Sequence, residues 1–293
     1  MSNTPNKAVK STLKASDIQH ATRAHKAAKK PVSEAKRGDA APILVVIPFL
    51  PSEMQGCQIQ LAVAGWRQHF KEKFHIVIVG EGLSCLKDEF GDSKDVTLLE
   101  SVRVAEKAGN YRQHLDYVKC FRAVRERFTE QDGFIFVADD CFAVNDFTLD
   151  DVKRLKIHSD DFIGDVNNPH NGWLRDAGKT RAMLDREHLP HRNFTTHLPM
   201  WFDWDKWEKI VSRYDMDNES YVIEALYYNI YHGQDEAVLL NHSSDKIRCL
   251  MGNGITPPHD VFLALSNKIW VCCSVSGYSF IVEDLLKKHL NLV

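Results

Sequence analysis

Near the middle of this 293-residue chain, an apolar run rich in β-forming residues, Phe134-Ile135-Phe136-Val137-Ala138, ends against two adjacent carboxylates, Asp139 and Asp140. Such a run reads as a buried parallel strand of an α/β protein, whose C-terminal end is where ligands bind. Two neighbouring carboxylates repel each other and both stay ionised at neutral pH only beside a cation. A divalent metal that prefers oxygen ligands meets that need. The plainer alternative is a solvated turn in which the pair caps the following segment. The residues alone leave both readings open.

Two further apolar runs precede it: Ile43–Phe49, interrupted by Pro48, and residues 74–82, ended by Gly80-Glu81-Gly82. Strand, helix, strand, helix, acidic strand is the order of a nucleotide-binding α/β half-domain. Residues 43–140 thus resemble the amino-terminal half of a GT-A nucleotide-sugar glycosyltransferase, with Asp139-Asp140 in the place of that fold's DxD motif. The resemblance implies a mixed, mostly parallel α/β sheet flanked by helices, with a smaller α-rich acceptor half. It also implies a nucleotide-sugar donor and a divalent metal, Mn2+ or Mg2+. Asp140 would then bind the metal directly, and Asp139 would contact the ribose or a second metal. The turn at Pro48 would lie against the base and ribose.

Composition adds bounds. The chain is 44% hydrophobic and 26% charged, as ordinary globular proteins are, and is long enough for a sizeable core. No apolar stretch approaches the ~20 residues of a membrane-spanning helix, and no signal peptide is read in the first forty residues. Seven cysteines without a CxxC pair argue for reduced thiols and a cytoplasm-like compartment, the host's if the protein is viral. Residues 1–40 carry nine Lys/Arg against three Asp/Glu, a balance of +6, which leaves −9 for the rest. They read as a disordered tail, or a loose helix over 16–30. The tail is either a solubilising leader or an arm that attaches to a polyanion, nucleic acid above all. The expected division is this tail, a nucleotide-sugar half over 41–150, and an acceptor half of the same domain over 151–293.

A helix over 54–73 is expected after the first strand, with Leu61, Ala64, Trp66 and Phe70 on its apolar stripe. Gly80-Glu81-Gly82 reads as a tight turn only, since a phosphate-cradling loop needs more glycine. Downstream of Asn110, a natural cap, Leu115, Val118, Phe121, Val124 and Phe128 recur at helical spacing. Arg112, Asp116 and Lys119 then fall three or four apart on an exposed face, either as an ion-pair stripe or as a nucleotide contact. A similar Asn/Arg…Asp…Lys helix precedes an Asp-Asp strand in phage-encoded glycosyltransferase-like proteins and, more remotely, in the Stealth capsule-sugar transferases. There Asn110, Arg112, Asp116 and Lys119 would bind the donor. The Asn that precedes the aspartates in those families is Ala138 here.

Beyond residue 150 the strand signal fades. The loop 164–173 mixes Gly, Asn and Pro with one Trp, the composition of a surface loop or of a glycan or nucleobase pocket, with Asn168 and Trp173 as acceptor contacts. A basic helix over 175–187 follows, to touch phosphate or to be solvated. The Thr196-His197-Leu198-Pro199 segment is similar to the Thr-His-x-Pro of the same families, which makes His197 a third metal ligand or diphosphate contact. On the helix over 219–232, Glu224 is an acceptor contact. An inverting mechanism would take Asp165 or Glu224 as its catalytic base, whereas a retaining one needs none, and the sequence leaves both open. The function these readings imply is transfer of a sugar, glucose by expectation, from a nucleotide diphosphate to an acceptor hydroxyl, such as a hydroxymethylated base of phage DNA. The competitors are a Stealth-like sugar-phosphate transferase and a non-catalytic nucleic-acid-binding protein. Oligomeric state is unreadable.

Overall fold

The computed structural model describes residues 41–103, 113–168, 171–241, 244–252, 256–274 and 276–292. The basic tail with its expected helix, and Asn110 and Arg112, lie outside them. Four parallel strands open the chain order: β1 (Ile43–Phe49), β2 (Phe74–Gly80), β3 (Val96–Glu100) and β4 (Gly133–Phe136). Helix α1 (Gln58–His69) joins β1 to β2, a short α2 (Lys87–Phe90) precedes β3, and α3 (Gln113–Arg127) leads into β4. After β4 come β5 (Cys141–Ala143), α4 (Leu149–Lys153), β6 (Lys156–Ile157), α5 (Gly172–Arg186) and β7 (Met200–Asp203). The chain continues through α6 (Trp204–Arg213), α7 (Ile223–His232), β8 (Val238–Leu239) and β9 (Arg248–Met251). It closes with α8 (Pro258–Asn267), β10 (Trp270–Cys273) and α9 (Phe280–His289).

The central sheet runs β3-β2-β1-β4-β7, parallel except for β7, which pairs antiparallel with β4. This is the expected mostly parallel α/β sheet between helices. Alternation along the strands explains the two layers. Leu44, Val46, Val77, Val79, Phe134 and Phe136 face α3, α6 and α7, while Val45, Ile47, Ile76, Ile78 and Ile135 face α1. Phe121 of α3 is fully buried against Phe134, Phe136 and Trp207. A ring so placed stabilises the fold by about 3–5 kcal/mol relative to alanine.

Three expectations change. The helix over 54–73 is shortened to α1: it starts only at Gln58, because Gly56 adopts a left-handed φ of 54° that no continuing helix tolerates, and it stops at His69, where Phe70 turns extended. Strand β3 was not among the strands read from the sequence. Its Val96-Thr97-Leu98-Leu99 is brief and only Val96 is fully buried, so the periodic signal is weak. The second half is also not devoid of strands. Met200–Asp203 joins the central sheet, and β5-β10-β9 form a second sheet. The expected tight turn at Gly80-Glu81-Gly82 is present, with Gly82 at φ 78°. The N–H groups of Gly82 and Leu83 donate to the Glu100 carboxylate at 3.0 and 2.9 Å, so the chain fills that small anion nest itself. No described helix is long and apolar enough to cross a membrane. All seven cysteines are free thiols.

Candidate functional site

The parallel strands end together at one edge, and a cleft of about 260 Å³ opens there. Its floor and sides come from the segments that leave the strands: Pro48–Leu50 after β1, Gly80-Glu81 after β2, Ser101–Arg103 after β3 and Ala138–Asp140 after β4. Helix α3 adds His114, Asp116 and Tyr117, while Trp173, His197 and Glu224 close the far side.

Asp139 and Asp140 occupy the turn by which the chain leaves the parallel sheet for the second one. The Cys141 N–H donates to the Ala138 carbonyl at 3.3 Å, and the Cys273 N–H of β10 donates to the Asp140 carbonyl at 2.9 Å. The turn is therefore pinned from two sides. Burial raises the Asp139 carboxyl to about 6, with the negative charge of Glu53 adding to the effect. Asp140 rises to about 7, first through burial and then through repulsion from Asp139. Its Oδ1 is buried without a hydrogen-bond partner. These are two half-buried carboxylates, and among the described residues neither is ion-paired to a Lys or Arg.

Arg103 is the only Lys or Arg among the described lining residues. Its Nε lies 3.2 Å from Asp116 Oδ2 and its Nη2 lies 3.7 Å from Glu53 Oε1. Its backbone N–H donates to Glu81 at 3.0 Å. Six carboxylates face this cleft (Glu53, Glu81, Asp116, Asp139, Asp140 and Glu224) against that one guanidinium.

On the far side, Glu224 lies in the first turn of α7 and reaches into the cleft. Its Oε2 is buried without a partner, and burial raises the carboxyl to about 7. His197 lines the cleft with a left-handed backbone, φ 53°, a conformation costing a non-glycine residue about 1–2 kcal/mol. It is held in place from behind. The fully buried Arg248 donates to the Thr196 carbonyl, and the Cys272 thiol donates to the His197 carbonyl at 3.0 Å. Solvent reaches the His197 ring, yet the surrounding protein removes enough water to lower its pKa, and the Arg248 charge lowers it further. Backbone strain of this kind is characteristic of ligand sites.

The structure thus brings together Pro48, Asp116, Asp139, Asp140, Trp173, His197 and Glu224 from the residues chosen by sequence. It leaves others out. Lys119 is exposed and does not line the cleft, so Asp116 and Lys119 do not share one solvent face. Asp116 is buried and paired to Arg103. Asp165 is exposed and accepts the Asn167 N–H at 3.0 Å, an ordinary turn cap outside the cleft. Asn168 accepts the Asn171 N–H at 2.8 Å and likewise stands away. The basic helix α5 is engaged in surface pairs, Lys179 with Glu219 at 3.1 Å and Arg181 with Asp161 at 2.6 Å. Sequence reading missed Arg103, hidden behind an unrecognised strand. It also missed His114, which falls on the stripe His114, Val118, Phe121 and was there to be seen.

Among the described residues, no three His, Cys, Asp or Glu side chains gather as a preformed metal shell. His197 lines the same cleft but is not preassembled with the aspartates into such a shell. The acidic pair still fits a divalent cation. Asp140 carries an orphaned buried oxygen beside a second carboxylate, and hard oxygen donors suit Mg2+ or Mn2+.

No family profile matches the sequence, and no curated protein matches it. Solved structures of glycosyltransferases do align with it at low similarity. The galactosyltransferase LgtC, solved in complex with donor and acceptor sugar analogues, is 10% identical over 86% of this chain and 96% of its own, with a TM-score of 0.42. A glycosyltransferase involved in glycosylating the major capsid of PBCV-1 is 10% identical over 86% of this chain and 100% of its own, at 0.38. The glycosyltransferase GlyE of Streptococcus pneumoniae TIGR4 is 10% identical over 86% and 60%, at 0.42. Likeness at this level decides nothing about chemistry, which has to be read from the cleft.

Proposed function

We propose that the cleft transfers a sugar from a nucleoside-diphosphate donor to an acceptor hydroxyl, with a divalent metal held at Asp139-Asp140. The observation that carries this is the pinned acidic turn at the end of β4, in the same cleft as the orphaned carboxylate of Glu224. The sequence resemblance to GT-A glycosyltransferases supports the same reading. A bound Mn2+ or Mg2+ would supply charge neutralisation to a leaving diphosphate.

The chain's own residues supply the rest. Asp140 would be the direct ligand of the cation and Asp139 its neighbour, and the six carboxylates of the cleft disfavour a polyphosphate unless their charge is offset. Pro48, Asp116 and Arg103 flank the donor end, with Arg103 oriented by Asp116. Glu224, with a pKa near neutrality, takes the proton of the acceptor hydroxyl as its oxygen attacks the anomeric carbon. The bond from that carbon to the phosphate oxygen breaks, and the nucleoside diphosphate departs. This is a single displacement, so the anomeric configuration inverts. Trp173, half exposed beside the cleft and edge-on to Phe162 at 6.0 Å, offers the acceptor a flat apolar face.

Two acceptors are favoured by different observations. The excess of carboxylates favours a neutral hydroxyl such as that of a glycan. The +6 balance before residue 40 favours DNA carrying hydroxymethylated bases. Removing residues 1–40 separates them, since only DNA labelling should fall, and most at low salt. The test of the reaction itself is to offer sugar nucleotides with and without Mn2+ and identify what is released. Metal-dependent release of a nucleoside diphosphate is expected. A nucleoside monophosphate would indicate sugar-phosphate transfer, and release of nothing from any donor would overturn the proposal.

A further inference from the structure

His114 lies on α3, is only 4% exposed and lines the cleft. Both of its ring nitrogens, Nδ1 and Nε2, are buried without a hydrogen-bond partner. Its contact with Tyr117 is edge-on, with centroids 5.8 Å apart at 81°, and gives neither nitrogen a partner. Burial holds the imidazole neutral, lowering its pKa to about 3. The ring is therefore one donor and one acceptor, both unused. A side chain that is merely structural is rarely left so, because orphaned buried polar groups are costly.

Its place along the sheet indicates what it meets. On the same helix, the Cys120 thiol donates to the Val79 carbonyl of β2 at 3.8 Å, so α3 lies over β2. The acidic turn follows β4, and the strand order puts β1 between β2 and β4. Two strand spacings are about 10 Å, roughly the reach from a diphosphate to the nucleoside it carries. The intervening wall, with Phe49, Val79, Gly80 and Tyr117, is largely apolar and suits a base and ribose.

We propose that His114 is a specificity-determining residue for the nucleoside of the donor, pairing its neutral ring with a donor or acceptor group on the base or ribose. The inference rests on the nucleotide-sugar reading above and deepens it. His114 takes no part in the chemical step. Its contribution is to discriminate among nucleotides.

The test is equilibrium binding of UDP, CDP, GDP and ADP, with Mn2+ present, to the full-length wild type, His114→Phe and His114→Gln. The wild type should prefer one nucleotide. His114→Phe should weaken that one by about tenfold or more and level the ranking, since a buried partner lost in a polar-reading site removes discrimination. His114→Gln keeps a donor and an acceptor and should retain part of the preference. The ligand-free melting temperature of His114→Phe should equal or exceed the wild type's, because an apolar ring relieves two orphaned groups. A ranking unchanged in a folded His114→Phe overturns the proposal. Should that variant not fold, a His114→Gln with no change in ranking does the same if its melting temperature has fallen. Absence of nucleotide binding by the wild type would sink the donor reading itself, and this inference with it.

Discussion

Lys156 and His114 are equally hidden, at 5% and 4% exposure, and their environments are opposite. Lys156 opens β6, three residues beyond the end of α4, and does not line the cleft. Its Nζ donates to the carbonyls of Asp151, Val152 and Arg154 and lies over the Trp270 ring at 5.4 Å. It satisfies the carbonyls that a helix C-terminus leaves unpaired. The cleft holds the contrary case, since His114, Glu224 Oε2 and Asp140 Oδ1 are buried and unpartnered. A buried polar group that is fully engaged serves the fold. Those left unpartnered on the cleft are the groups that the proposed ligands would satisfy.

Substitutions on the two sides should separate accordingly. Asp140→Asn removes the charge proposed to recruit the cation and should lower transfer by about 10³-fold or more, with thermal stability unchanged or raised. Loss of activity accompanied by a large fall in melting temperature would return Asp140 to a structural role.

Glu224→Gln should lower kcat by about 10²-fold or more and remove the rise in rate as pH passes through about 7. The stability effect has a definite sign. The folded carboxyl titrates above its usual 4.5, so its contribution is present in full below pH 4.5 and is lost as pH rises through about 7. At pH 8 the glutamine variant should therefore be the more stable, by roughly 3 kcal/mol at 1.36 kcal/mol per pKa unit, and the gain should vanish near pH 4. Denaturant titrations at the two pH values check it. Equal stability at both would mean that Glu224 is not held away from water.

Lys156→Met keeps the volume but leaves the α4 carbonyls without their donor. It should destabilise by about 1–3 kcal/mol, with donor KM and kcat untouched at a temperature where the variant is folded. A change in kinetics without one in stability would erase the contrast between the two regions. The smallest effect is expected at Lys119→Ala, exposed and away from the cleft, within about 0.5 kcal/mol and with unchanged donor KM. A raised KM there would show that the nucleotide reaches further along α3 than the cleft does.

Legibility followed the range of the signal. The strands Ile43–Phe49, Phe74–Gly80 and Gly133–Phe136 stood out because each is a nearly unbroken apolar run, which burial on both faces requires. The α3 stripe of Leu115, Val118, Phe121 and Val124 was equally plain and is buried as its spacing implied. The acidic turn was marked by the abrupt change from Val137-Ala138 to two carboxylates. Strand β7 was not readable, since four residues dominated by Met200, Trp201 and Phe202 give no period that separates strand from loop. Asp165 and Glu224 looked alike as isolated carboxylates. Only the surroundings differ, a solvated turn for one and a water-poor wall of the cleft for the other.

The sequence by itself determined the parallel α/β core, the place of the acidic pair at a strand end and the apolar face of α3. Each depends on neighbours within one or two turns or strands, where periodicity is visible in the chain. Only the tertiary structure decided that Arg103 rather than Lys119 meets the cleft, that Glu224 shares a cleft with Asp140, which lies 84 positions earlier in the chain, and that His114 has no hydrogen-bond partner among the described residues. Burial and hydrogen-bond satisfaction are set by segments far apart in sequence, so no local pattern carries them.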